Sequence, residues 1–303
     1  MFQTIRRTTQ RIIHMTGKAD VLFDGSFEGL MCVVYARYYD KIEPITIRCF
    51  GDVAISQLHL ADITSSGELL DEAVLSVTIE TDYSKAERVF AALQKKTGEG
   101  AQNAYRAWLS PKKMYWELFN YVILCFKEGG NAENFKTRDY VLDVQKTASY
   151  VGREAHLLTG FCRFVETKTG VFYCDISPVN DVLPILAEHF CERFSEQPFV
   201  IHDVRRGTAV IYDTKNYIIQ EVGKNAKFEF DAIEEQWQEL WSAFHKTIAN
   251  EQRVNKKLHR QMMPLRFRKH VTEYKYLAEI KEVGTLKKPQ ISGSSQQQLP
   301  LTE

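Results

Sequence analysis

Apolar residues first recur at helical spacing between Phe27 and Tyr38, where Phe27, Leu30, Met31, Val34, Tyr35 and Tyr38 fall on one stripe. Ser26 stands where the first turn of that helix needs a side-chain acceptor. Asp24-Gly25 reads as the turn that leaves a short strand, Val21 to Phe23. Glu43-Pro44 closes the helix, because a residue before proline avoids the α region. A second strand is predicted over Leu75 to Ile79, and Asp82 caps a helix to about Lys96 that Gly98 and Gly100 break. Helical spacing returns at Ala101–Leu109 and Met114–Lys127, on either side of Ser110-Pro111. A turn at Glu128-Gly-Gly-Asn and a long helix from about Asp139 to Leu158 complete this half.

The second half changes period. Phe161–Glu166 and Val171–Ile176 alternate, and Thr167-Lys-Thr-Gly170 joins them as a hairpin. A helix capped by Asp181 runs to about Ser195. Three further strands follow, Phe199–Val204, Thr208–Asp213 and Tyr217–Val222, with turns at Arg205-Arg-Gly and Thr214-Lys-Asn. A helix from about Ala232 to Ala249 carries Trp237, Leu240, Trp241 and Phe244 on one side, a stripe that ordinarily packs into a core. The class is therefore α+β: a helix-rich N-terminal half with a few strands, then an antiparallel sheet in the order ββα-βββ with flanking helices. Residues 21–282 read as one domain, with a helical lobe at 21–135 and a sheet-containing lobe at 136–282. Residues 1–20 read as a basic, disordered extension, with Met15 an alternative start, and the Ser-, Gln- and Pro-rich stretch 283–303 as a disordered tail.

Composition adds boundaries. With 44% hydrophobic and 26% charged residues, the 303-residue chain can bury a core. Thirty-nine basic residues balance thirty-nine acidic ones, so net charge alone points to no partner. The six cysteines include no CxxC pair, and no secretory signal precedes them, so a reduced cytoplasmic setting is expected. No apolar run approaches the roughly 20 residues of a spanning helix, and no membrane partner is expected. The motifs GxxxxGK[ST], GxGxxG, HExxH and GxSxG are absent. That disfavours a nucleotide-hydrolysing motor or a standard zinc hydrolase, and no cofactor or metal is expected.

Charge is not evenly spread. Arg253, Lys256, Lys257, Arg260, Arg266, Arg268 and Lys269, with His259 and His270, occupy a stretch that contains no acid. Such a run repels itself unless an anion or an acidic surface neutralises it. Nucleic-acid phosphate is one answer. A solvated helix face, or a wrap across Glu234, Glu235 and Glu239, is the other.

A second concentration lies between Arg153 and Tyr212. Arg153, Arg163, Arg193, Arg205 and Arg206 are interleaved with Phe161, Phe164, Phe190 and Phe194, the mixture that phosphate contact and base stacking require. Those rings serve equally as core. Glu154, His156, His189, His202 and Asp203 are the acid–base candidates, with Asp203 placed to orient His202. Each has a structural alternative, such as a satisfied core histidine or an exposed ion pair.

The blocks VLFDGSFEGLMCVVYARY, GREAHLLTGFCRFVETKTGVFYCDISPVNDVLPILAEHFCERF, IHDVRRGTAVIYD and RVNKKLHRQMMPLRFRKHV carry a resemblance. Over roughly residues 21 to 280 the chain resembles a bacterial family of DNA-metabolism and DNA-repair proteins built on a domain of unknown function. Members are encoded beside a radical-SAM DNA repair or modification protein, or are fused to a uracil-DNA-glycosylase-like domain. No GEAPG motif of such glycosylases is present, so the chain resembles the stand-alone form. The resemblance implies a DNA-binding accessory protein that partners the radical-SAM protein. It leaves room for an enzyme acting on a damaged or flipped base, and for an adaptor that docks through the Trp237–Phe244 helix without touching DNA. It carries no established catalytic residues.

Overall fold

A computed structural model describes residues 17–52, 75–224, 226, 229, 230, 232–248, 255–272 and 274. Met15, Arg253 and the stretch 283–303 lie outside the described residues. The described residues divide into two compact units. One comprises the chain up to Leu158 together with Pro178–Leu186; the other comprises Thr159–Ser177 and the chain from Ala187 onward.

The first unit is built on a parallel sheet of order β2-β1-β3, formed by β1 (Lys18–Phe23), β2 (Glu43–Cys49) and β3 (Leu75–Thr78). Strand β1 takes in Lys18, Ala19 and Asp20, residues that composition alone assigned to the extension. As the central strand it is buried at Ala19, Val21, Leu22 and Phe23 without alternation, which a parallel strand covered on both faces requires. The Glu43-Pro44 pair does not end a helix but opens β2. Proline has no N–H to give the ladder, and the register shifts beside it, between Ala19 and Asp20.

Helix α1 (Phe27–Tyr35) starts where predicted: Ser26 Oγ accepts from Gly29 N at 2.9 Å. A π-helical turn, Ala36–Asp40, extends it. Gly25 adopts φ +82°, and a Cβ there would collide with Cys49 Sγ, so the turn demands glycine on two counts. Helix α2 (Tyr83–Thr97) is capped by Asp82, which accepts from Ser84 N and Lys85 N. Gly98 ends it, but Gly100 sits within α3 (Glu99–Trp108). Helices α4 (Tyr115–Glu128) and α5 (Asp139–Phe161) follow. The core gathers Phe23, Leu30, Met31, Leu93, Leu118 and Tyr121.

The second unit holds a five-stranded sheet of order β4-β5-β6-β7-β8. Its strands are β4 (Val165–Glu166), β5 (Phe172–Ile176), β6 (Phe199–Asp203), β7 (Thr208–Tyr212) and β8 (Tyr217–Glu221). Helix α5 continues to Phe161, so β4 is shorter than alternation suggested. The sheet is mixed rather than antiparallel: β5 and β6 are parallel, and the other pairs antiparallel. The cause is α6 (Leu183–Arg193) between them. A strand that follows an intervening helix starts again at the same end, whereas a tight turn reverses direction.

Phe164, Phe190, Phe194 and Phe199 pack ring against ring, with centroids 4.8–6.4 Å apart. Their role is core packing. Helices α7 (Ala232–Ile248), α8 (Lys256–Met262) and α9 (Leu265–Arg268) close the described chain. Helix α7 reverses the expected arrangement. Its apolar stripe, Ile233, Trp237, Leu240, Trp241, Phe244 and Ile248, is exposed, with Trp237 at 57%. Glu234, Gln238 and Ser242 occupy the more buried side. Among the described residues no helix is long and apolar enough to cross a membrane.

Candidate functional site

Strand β5 would be wholly apolar but for Asp175, and a carboxylate on such a strand needs a partner. That partner comes from the far end of the chain. His270 Nδ1 lies 2.7 Å from Asp175 Oδ2, and His270 Nε2 lies 2.8 Å from Ser177 Oγ. An ionised carboxylate only accepts, so Nδ1 donates to Asp175, and a ring with Nδ1 as its one protonated nitrogen turns its Nε2 lone pair to the Ser177 hydroxyl. Ser177 and His270 are 8% and 7% exposed, while the Asp175 side chain keeps 32%. Phe267 and Val271, both buried, fix the segment around His270, and Phe267 packs against Phe161 at 5.9 Å.

Nearby groups are held neutral. The Cys162 thiol donates to Cys174, and that bond, with burial, pushes it well above its ordinary range. Burial, followed by the Asp175 charge, pushes the Tyr173 phenol up as well.

The histidine expected to act with Asp203 is differently employed. His202, 1% exposed, faces the Gly223 carbonyl through Nε2 at 3.0 Å and the Tyr173 hydroxyl through Nδ1 at 2.9 Å. A carbonyl only accepts, so Nε2 is the protonated nitrogen and Nδ1 accepts from Tyr173. Both ring nitrogens are thereby committed to structure. Asp203 does not orient His202. It is fully buried and accepts from Arg205 N at 2.9 Å, Arg206 N at 3.2 Å and the Arg206 guanidinium at 2.7 Å. Adjacent residues of a strand point to opposite faces, which separates the two side chains.

In the first unit Glu154, 2% exposed, accepts from Val179 N, Asn180 N and Asn180 Nδ2 at 3.1, 2.8 and 2.6 Å. It anchors the Pro178–Leu186 segment. Arg153 and His156 lie on the exposed side of the same helix. His189 and Arg193 are exposed one turn apart on α6, with His189 edge-on to Phe190 at 5.0 Å. Arg163 donates to the Gly160 and Cys162 carbonyls at 2.9 and 3.2 Å. Among the described residues no group of three His, Cys, Asp or Glu side chains is placed to hold a metal ion.

In the basic segment, Lys257, Arg260 and Lys269 are exposed and form no ion pair with a carboxylate among the described residues. Arg266 lies over the Phe267 ring at 4.5 Å, and Arg268 over Tyr274 at 5.2 Å. Glu234 turns instead toward Glu166 N and Gln238.

Comparison with known families adds one match: the model of a family described as a domain of unknown function, DUF4130, aligns with residues 96–273. No curated protein and no solved structure matches the chain.

Proposed function

We propose, for a chain that belongs to the DUF4130 family, a role in DNA metabolism in which the segment from Lys256 to Lys269 grips the phosphate backbone. The observation that carries this reading is the exposure of Lys257, Arg260 and Lys269 with no carboxylate opposite them among the described residues. Internal neutralisation by Glu234 finds no support in its bonds. A polyanion then supplies the missing counter-charge, and phosphate contacts position such a protein without specifying sequence. The resemblance of the sequence to DNA-repair proteins favours DNA as that polyanion.

Fluorescence anisotropy with labelled single- and double-stranded oligonucleotides tests this. Replacing Lys257, Arg260 and Lys269 together with Gln should weaken binding at low salt by at least about tenfold, since each phosphate contact contributes to affinity through counterion release. Unchanged affinity in that variant, or no binding by the parent chain, refutes the proposal.

A second observation favours the accessory role. The outward stripe of α7 is an apolar row of the kind that marks a protein-docking face. In this reading α7 holds the radical-SAM repair or modification protein while the basic segment holds DNA. Co-purification should survive high salt and nuclease and be lost on Trp237→Ser with Leu240→Ser. Loss of the complex on nuclease treatment alone would count against a direct dock.

A further inference from the structure

We infer that Ser177, His270 and Asp175 form a nucleophilic centre that transfers a phosphoryl group from a phosphodiester to Ser177 and then to water. The three side chains have the atom order such chemistry needs: hydroxyl to Nε2, and Nδ1 to carboxylate. They come from two remote parts of the chain, the end of β5 and the turn after α9. The choice of a phosphodiester rests on the nucleic-acid reading above, and two features of the site favour it. The residue after the serine is Pro178, which has no N–H, so the backbone donor that often meets an acyl oxyanion is missing here. In sequence, instead, the cations Arg266, Arg268 and Lys269 stand within four residues of His270. Guanidinium and ammonium groups meet charge on a transferring phosphoryl group.

The steps balance. The Ser177 hydroxyl proton passes to His270 Nε2 as Oγ bonds to phosphorus. The ester oxygen in line with Oγ leaves phosphorus, takes a proton from water and departs as an alcohol. The hydroxide so formed attacks the phosphoseryl diester from the side opposite Oγ, and the bond from phosphorus to Oγ breaks as His270 returns the serine proton to Oγ. Ser177 is restored and a phosphomonoester leaves. Asp175 holds the ring in the tautomer that accepts the serine proton and balances the imidazolium while it exists.

The test uses the full chain and an alkyl fluorophosphonate, whose phosphorus accepts Oγ as fluoride departs. One adduct on Ser177 is expected by peptide mass mapping, absent in Ser177→Ala. His270→Gln should slow labelling at least about 100-fold, in keeping with general-base contributions, and Asp175→Asn at least about tenfold. Circular dichroism checks that each variant is folded. Should His270→Gln unfold, Asp175→Asn, whose side chain is partly exposed, carries the comparison. No adduct at Ser177, or rates unaffected by the folded variants, overturns the nucleophile and leaves a buried structural clamp. Bis(4-nitrophenyl) phosphate then tests the substrate class: release of 4-nitrophenolate that vanishes in Ser177→Ala supports it, and a labelled serine without release overturns it. Neither small probe needs affinity for DNA, so failure here is separable from failure of the phosphate-binding proposal.

Discussion

Glu154→Ala should destabilise the protein by about 4 kcal/mol. The carboxylate receives two backbone N–H groups and the Asn180 amide in a site it shares with almost no solvent. Charge-assisted bonds of this kind contribute about 1.5–3 kcal/mol each, and removing one partner of a buried polar set costs about 3–5 kcal/mol because the others are stranded. The bonds are not additive, and solvent entering the space left by the side chain recovers part of the loss, which places the figure near 4 kcal/mol. Glu154→Gln keeps one acceptor but sets an amide donor against a donor, so about 2 kcal/mol is expected. Urea denaturation followed by circular dichroism gives both values, and amide exchange at Val179 and Asn180 should accelerate in step. A loss below about 1 kcal/mol in the alanine variant, with those amides still protected, would refute the anchoring role and return Glu154 to the pool of chemical candidates.

Other consequences are equally open to measurement. His202→Ala should cost about 3 kcal/mol in the same assay, through a cavity and an orphaned Tyr173 hydroxyl, while oligonucleotide affinity stays at the parent value. Burial, then the Glu133 charge, pushes the Cys125 thiol up from 9.0 to about 12. A raised acid favours its neutral form in the fold, so its contribution is complete below pH 9.0 and is lost as pH rises toward about 12. Native protein should therefore resist thiol reagents at Cys125 until unfolded, and ready labelling near neutral pH would contradict its burial. Gly25→Ala should cost about 2 kcal/mol, of which Cys49→Ala in the same chain restores the steric share, because the φ strain alone is about 1 kcal/mol. Additive losses in the double variant would show that the two positions do not collide.

Local chemistry was legible from the sequence where the cause is local. Ser26 and Asp82 cap the helices they were expected to cap, because an N-cap depends on the next three residues alone. The hairpin over Thr167–Gly170 formed for the same reason, with Gly170 at φ +77°. Features that depend on distant partners were not legible. Strand β2 was missed because Pro44 reads as a terminator until the edge of a parallel sheet is known. In the sequence His270 stands among cations, and Asp175 and Ser177 belong to no motif. Ninety-five residues separate Asp175 from His270, and no spacing rule spans that distance. The available signal was the lone acid in Phe172–Ile176. The stripe of α7 had the period of a core helix, and period cannot tell which side a fold will cover.

The claim that the late cations meet nucleic-acid phosphate is tested most directly by the dependence of oligonucleotide affinity on salt. Counterion release gives a slope of about −0.9 in log–log form for each phosphate contacted. Lys257, Arg260 and Lys269 alone then predict a slope near −2.7, or about a 40-fold loss between about 50 and 200 mM salt. The parent chain should show a slope at least that steep, and the triple Gln variant one shallower by about that amount. A flat line for the parent, or parallel lines for the two proteins, would contradict the account.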